Sequence, residues 1–383
     1  AAAFRRAERF VTLAKRIGAP MLVVCANTQS ASSPDPVRIA DDLRELAALA
    51  AKSGLRLGYE ALATSAHINA VEAALDIVAR VDADNFGLVI GTVHLFAMDT
   101  DPAVLADIPA DKIFLVHLAD APTVRIDRAL LTQSFRLFPG QGMLPIPALY
   151  AQLRDHGVTA PFSIEIFNDQ IRSLPVSQIA DDGIRAFHFL NEAYRRAAKP
   201  HADLVAPAFI EFVAQGDEVE DIASLLRAMG FALTHKTRAG VDLWQQNEAV
   251  VCVNHGAEGL AHSLYLLQGL SVSGIGLRVD DMQAMEMRLG TFHGEKLDET
   301  VAPPYGLPVL RGPGGSVFYL TTAPVHDLIT LAEFAPTGAV PENRLRRIDH
   351  CGQALQPNLF LSGLMFYRAM FDMRSDDVRD VLD

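Results

Sequence analysis

Cysteine is scarce: 383 residues contain three, Cys25, Cys252 and Cys351, far apart in the chain. An odd, scattered set builds neither a disulfide framework nor a zinc knuckle, and it fits a reducing cytoplasm. Positive charge is in deficit, with 33 Lys plus Arg against 46 Asp plus Glu and a net charge of -13. A nucleic-acid binder needs a basic face to displace counterions from phosphates, so that class is disfavoured. No uncharged apolar stretch approaches about 18 residues, so no membrane span is expected. The opening AAAFRRAERF mixes charge with apolar spacing and lacks a signal peptide's apolar core. What is abundant is apolar: 50% of residues are hydrophobic and 21% charged, which allows a sizeable core and rules out wholesale disorder. At roughly 150 residues per domain, the length suits about two or three domains.

The first half alternates strands and helices. Apolar, β-branched runs at 21–26, 55–60, 86–90, 112–118 and 162–167 are bounded by Gly, Pro or Asp and predict buried parallel strands. Helical spacing fills 3–19, 36–54, 67–81, 146–157 and roughly 177–197, with Pro near the start and Gly at the end of two of them. This alternation predicts a parallel sheet with right-handed crossovers. Its strand ends collect polar groups: Glu60 closes the second, His94 follows the third, His117 nearly closes the fourth and Glu165 sits late in the fifth. In a (β/α) barrel those ends form the active-site mouth, and acidic and imidazole groups there suit a hard or borderline divalent cation. The plainer reading is a set of satisfied polar residues at strand ends. A closed barrel needs eight strands and five are found. The expectation is a barrel lacking its first strands, some ~75 residues at about 30 per β/α unit. The other possibility is an open five-stranded α/β sheet.

The second half changes character. Residues 196–206 are charged and Pro-bearing and read as a linker between regions 1–195 and 207–383. A strand (208–216), a helix (217–230) and three further strands follow, then a comparable set from 271, closed by strands near 307–311 and 316–321. There is a weak internal repeat: FIEFVAQG (209–216) aligns with RIDHCGQA (347–354), which places His350 opposite Phe212. A lone strand histidine is more often structural than a ligand. GPGGS (312–316) lacks the strand-to-helix context of a phosphate cradle and reads as a hairpin turn. Trp244 reads as core.

The stretches LGYEAL around Glu60, GLVIGTVHLF around His94, IFLVHLADAP around His117, FRLFPGQG (135–142), PFSIEIFND around Glu165 and RIDHCGQAL around His350 resemble the bacterial two-domain 3-dehydroshikimate dehydratases. That resemblance covers nearly the whole chain. It implies an α/β fold: a xylose-isomerase-like (β/α)8 TIM barrel without its first strands. An α+β vicinal-oxygen-chelate region (βαβββ) like that of 4-hydroxyphenylpyruvate dioxygenase would follow, with its last unit incomplete. In the family a Glu, an Asp, a Gln and a second Glu hold a divalent cation. By position these fall on Glu60, Gly91, His117 and Glu165, so one carboxylate is lost and one ligand type exchanged. The resemblance makes His94 the general base and Arg136, with Gln141 of the same motif, substrate contacts. It makes His350 the first ligand of a second, iron-type site.

The implied reaction is metal-dependent dehydration of 3-dehydroshikimate to protocatechuate, with a small-molecule substrate, no nucleic-acid or membrane partner, and homo-oligomerisation left open. Imidazole, with a pKa near about 6.5, is the right type of base. Magnesium, manganese or cobalt would serve, and a His/Glu set lacking one carboxylate shifts preference away from magnesium, with zinc included. Gly91 predicts weakened metal affinity, a changed preference or lost activity, and Gly91→Asp should then raise affinity. Two further readings stand beside this one. One is a sugar-phosphate isomerase or epimerase on the same barrel type. The other is a catalytically impaired relative, or a hydroxyphenylpyruvate-dioxygenase-like protein, whose second region serves assembly or ligand sensing.

Overall fold

The computed structural model describes residues 2–122, 126–195, 204–297, 305–331, 334–341 and 344–374. The chain divides into two compact units, Ala1–Ala198 and Lys199–Asp383. Among the described residues no helix is long and apolar enough to cross a membrane.

In the first unit, β1 (Met21–Cys25), β2 (Arg56–Glu60), β3 (Phe86–Gly91), β4 (Ile113–Leu118) and β5 (Phe162–Ile164) form one parallel sheet in the order β1-β2-β3-β4-β5. Sequential parallel neighbours joined by helices are the arc of a (β/α) barrel, here five of its eight strands. β3 is buried along its whole length and β2 from its second residue, as apolar strands covered on both faces must be. The helices are α1 (Ala2–Arg16), α2 (Pro36–Ala51), α3 (Val71–Val81), α4 (Thr92–Ala97), α5 (Arg128–Ser134), α6 (Ile146–Asp155), α7 (Asp169–Arg172) and α8 (Val176–Arg195). Asp35 caps α2 through Val37 N–H, and Pro36 opens that helix. Ala47 and Ala50 of α2 and Ile77 of α3 pack with Leu57, Leu88 and Val116 of the sheet in one core.

Three local expectations are corrected. α3 begins at Val71, not 67, because the Ser65 hydroxyl accepts from Ile68 N–H and holds that stretch in a turn. β5 stops at Ile164, so Glu165 lies just past the strand. The ladder still makes one more link, Glu165 N–H to Leu118 O. β3 runs one residue further than expected, to Gly91, and α4 starts directly after it with His94 in its first turn.

The second unit holds β6 (Leu204–Val213), α9 (Glu218–Ala228), β7 (Ala232–Lys236), β8 (Val241–Gln246), β9 (Ala249–Asn254), α10 (Gly259–Gln268), β10 (Ser271–Val279), α11 (Met282–Thr291), β11 (Val309–Arg311), β12 (Val317–Thr321), α12 (Pro324–Leu331), β13 (Ala335–Pro336) and α13 (Phe360–Phe371). Its sheet runs β11-β12-β10-β6-β9-β8-β7-β13. β6-α9-β7-β8-β9 is a βαβββ module, and β10-α11-β11-β12 echoes it. In each, the first strand lies parallel to the last, and β6 meets β10 antiparallel. The 312–316 segment turns between antiparallel β11 and β12, and Trp244 is core.

Residues 196–203 of the expected linker lie outside the described residues. Residues 204–206 already belong to β6, with Leu204 and Ala206 paired to β10, so the strand begins earlier than the charged composition suggested. The expected strand around His350 is absent. Residues 347–354 carry no regular structure, since among the described residues no neighbouring strand takes up their backbone groups; the helix α13 follows them.

Candidate active site

Register brings the strand ends of the first unit together. Cys25 pairs with Glu60, and Gly91 pairs with His117. The third candidate, Glu165, arrives one residue after β5. One donor atom each from Glu60, His117 and Glu165 lie within 4.8 Å of one another, and no other such group occurs among the described residues. His117 Nδ1 is 3.0 Å from Glu60 Oε1 and 3.5 Å from Glu165 Oε2. Burial works against charge on His117. The hydrogen bond to Glu60 and the charges of Glu60 and Glu165 outweigh it, and the imidazole pKa is raised. Two carboxylates and one imidazole converging in this way fit a borderline divalent cation.

Arg136 joins this group to His94. Its Nη1 donates to Glu165 Oε2 at 2.5 Å, its Nε donates to Thr132 O, and its guanidinium stacks on Phe167. Its Nη2 faces His94 Nε2 at 3.3 Å. The other ring nitrogen, His94 Nδ1, accepts from Ala63 N–H at 3.2 Å. A backbone N–H can only donate, and a neutral imidazole has one acceptor nitrogen. The guanidinium too can only donate, so the neutral ring accepts from one of these two neighbours and turns its proton toward the other. Burial first, then Arg136 and His117, push the His94 pKa down to about 4, so the ring is neutral at neutral pH.

Gly91 does not leave an open position. A Cβ built there would stand 2.7 Å from Glu60 Oε1 and 2.9 Å from His94 Cδ2. The two nitrogens of the His94 ring face Ala63 N–H and Arg136 Nη2.

Gln141 lies apart from these contacts. It is buried, its Oε1 accepts from Phe138 N–H, and its amide nitrogen reaches Asp182 Oδ2 at 3.5 Å. The FPGQG loop is organised by Asp120, which sequence reasoning passed over although it stands in LADAP directly after β4. The Asp120 carboxylate accepts from the N–H groups of Ala121, Gly140, Gly142 and Leu144. Burial nonetheless pushes its pKa up to about 6. A side chain at Gly142 would collide with the Asp120 carboxylate and with Ala121 O, so the second glycine of the motif is required by this packing. Thr92, also unread, ties β3 to β4: its hydroxyl donates to Ala119 O and accepts from Ala119 N–H.

His350 is exposed and contacts Asp349, and among the described residues it belongs to no cluster of three ligating groups. A fully buried acid of the second unit is Glu211, near the end of β6. It accepts from Tyr305, Tyr319, Asn254 and Ser273 at 2.6–2.9 Å. With four donors it is a satisfied structural carboxylate.

The profile of the xylose isomerase-like TIM barrel family matches residues 1–193, and that of the hydroxyphenylpyruvate dioxygenase N-terminal family matches residues 202–324. A 3-dehydroshikimate dehydratase of Pseudomonas putida is 32% identical over 97% of this chain and 62% of its own length. One of Pseudomonas aeruginosa is 33% identical over the same shares. A solved structure, titled a xylose isomerase-like TIM barrel/4-hydroxyphenylpyruvate dioxygenase fusion protein, superposes with a TM-score of 0.91 at 32% identity, covering 99% of this chain and 64% of that one. The chain thus spans under two thirds of the length of the relatives it matches. It belongs to the xylose isomerase-like TIM barrel family, its partial barrel followed by a hydroxyphenylpyruvate-dioxygenase-like vicinal-oxygen-chelate region.

Proposed function

We propose that the barrel part of this chain carries a metal-dependent lyase site that dehydrates 3-dehydroshikimate to protocatechuate. The observation that carries this reading is the single cluster in which Glu60, His117 and Glu165 converge, with Arg136 linking Glu165 to His94. Likeness to two 3-dehydroshikimate dehydratases over 97% of the chain supports it.

The reaction removes a proton next to the ketone and expels the β-hydroxyl as water, after which the ring enolises to the aromatic diol. Glu60, His117 and Glu165 would hold a divalent cation, which supplies Lewis-acid polarisation of a substrate oxygen. Arg136 has Nε and Nη1 occupied by Thr132 O and Glu165, so its Nη2 edge is what it offers a substrate oxygen. In the tautomer with its proton on Nδ1, which gives up the Ala63 contact, His94 Nε2 faces the same place as an acceptor and can take the α-proton. The imidazolium so formed can return that proton to the departing hydroxyl, which leaves as water.

The test is one assay. The chain is mixed with manganese, cobalt or magnesium and 3-dehydroshikimate, and the ultraviolet absorbance of the aromatic product is followed. Turnover that is abolished by His94→Ala and by Glu165→Ala is expected. No product with any of the metals overturns the proposal.

A further inference from the structure

We propose that Asp120 is the positioning residue of this site: by gathering the loop that follows Arg136 around its carboxylate, it sets the angle at which the Arg136 guanidinium presents Nη2 to the substrate. The inference deepens the lyase reading and rests on it. Arg136 lies in a short strip, 135–137, between the segments that continue β4 and β5. Leu137 pairs antiparallel with Asp120 on one side, and Phe135 pairs with Asn168 on the other. Every main-chain polar group of residues 136 and 137 is used. Leu137 N–H donates to Asp120 O at 2.9 Å, and Asp120 N–H donates to Leu137 O at 2.8 Å. Arg136 N–H donates to Phe167 O, and Arg136 O accepts from Asn168 Nδ2, both at 3.2 Å.

The Asp120 side chain then fastens what comes next. Its Oδ2 accepts from Gly140 and Gly142 N–H at 3.0 and 3.1 Å, and its Oδ1 from Ala121 and Leu144 N–H at 2.8 and 2.9 Å. Three of these four bonds span 20 to 24 residues, so they tie the FPGQG loop to the end of β4. The residue is 1% exposed, and buried donors of this kind have no water to turn to. Gly140, at φ 94°, takes a conformation that glycine adopts freely, and a side chain at Gly142 would collide with the carboxylate. Four converging donors call for a group that only accepts, and hydrogen bonds to an ionised carboxylate are the strong ones. Asparagine has the same shape but would turn an N–H toward one of the two donor pairs.

Asp120 is not among the three mutually close candidate ligands, so its effect on the reaction passes through Arg136. That side chain is a rigid fork with Nε and Nη1 already committed, and tilting its strip moves Nη2. A shift of about 1 Å at such a contact can cost on the order of a hundredfold in rate. The experiment measures KM and kcat for 3-dehydroshikimate with manganese in the parent, Asp120→Asn, Arg136→Lys and the double variant. Asp120→Asn should raise KM about tenfold and change kcat less, with manganese affinity in equilibrium dialysis unchanged. In the Arg136→Lys background, where a flexible ammonium replaces the fork, the same change should raise KM less than about twofold. Amide exchange of the parent chain, which needs no variant, should find the Gly140, Gly142 and Leu144 N–H groups as protected as those of β4. An unchanged KM in Asp120→Asn, an equal KM effect in both backgrounds, a parallel loss of manganese affinity, or free-loop exchange at those three amides overturns the role of Asp120 and leaves the lyase reading standing. No turnover in the parent overturns both.

Discussion

Replacing Gly91 with aspartate sets two effects against each other. The backbone is no obstacle, because φ −92° and ψ 111° are open to any residue, and as the cap of α4 the position favours aspartate. Space is the obstacle. Ordinary contact begins at 3.4 Å and the added Cβ would meet Glu60 Oε1 at 2.7 Å, so the Glu60 carboxylate must yield by about 0.7 Å. That carboxylate is held by His117 and Cys25. A third carboxylate also brings like charge beside Glu60 and Glu165. Overpacking and repulsion together should destabilise the metal-free chain by about 2–4 kcal/mol. At roughly 2–4 °C per kcal/mol for a unit of this size, the first unit's transition should fall by about 5–15 °C. Calorimetric melts in a chelator, then with saturating manganese, measure this. The variant should melt lower without metal and recover more than the parent on adding it, since a cation relieves the repulsion. A metal-free variant that melts as high as the parent would refute the claim that Glu60 and His94 fill the space at Gly91.

Three further outcomes follow from the geometry. Glu165→Gln leaves the buried Arg136 guanidinium without its carboxylate and should cost about 2–4 kcal/mol in urea unfolding; an unchanged midpoint would show that the pair is not formed. His94 has a folded pKa of about 4 against 6.5 unfolded, so between those values the unfolded chain binds the extra proton and stability falls as pH falls. His94→Gln should flatten that part of the urea-midpoint profile, and equal slopes would contradict the depressed pKa. Glu211→Gln turns two of its amide hydrogens toward donors in the core and should lower the second unit's melting transition, at a cost of about 3–5 kcal/mol; no change would mean the Tyr305, Tyr319, Asn254 and Ser273 bonds carry no weight.

Much of this was legible in the sequence because parallel strands are short apolar runs and the site residues sit at their ends. Glu60, His117 and Glu165 were found on position alone, and the five strands followed from the same pattern. What was not legible depends on lateral register and on packing. Cys25 stood out only as a rare residue, and its place beside Glu60 appears once β1 pairs with β2. The loss of a carboxylate at Gly91 is legible in the sequence, but not that neighbouring atoms occupy the space a side chain there would need. The Ala63 contact to the His94 ring joins residues 31 apart, with no signal in either segment. His350 looked like a strand residue by repeat alignment, but among the described residues no partner strand lies beside it to make one. Glu211, in an otherwise apolar run, is satisfied by hydrogen-bond donors up to 108 residues away.

Metal analysis after equilibrium dialysis against manganese or zinc tests the central claim most directly. A single bound ion per chain, lost in the Glu60→Gln/Glu165→Gln double variant, is the predicted result. No bound ion, or the same stoichiometry in the double variant, would contradict the convergence of Glu60, His117 and Glu165 on one cation.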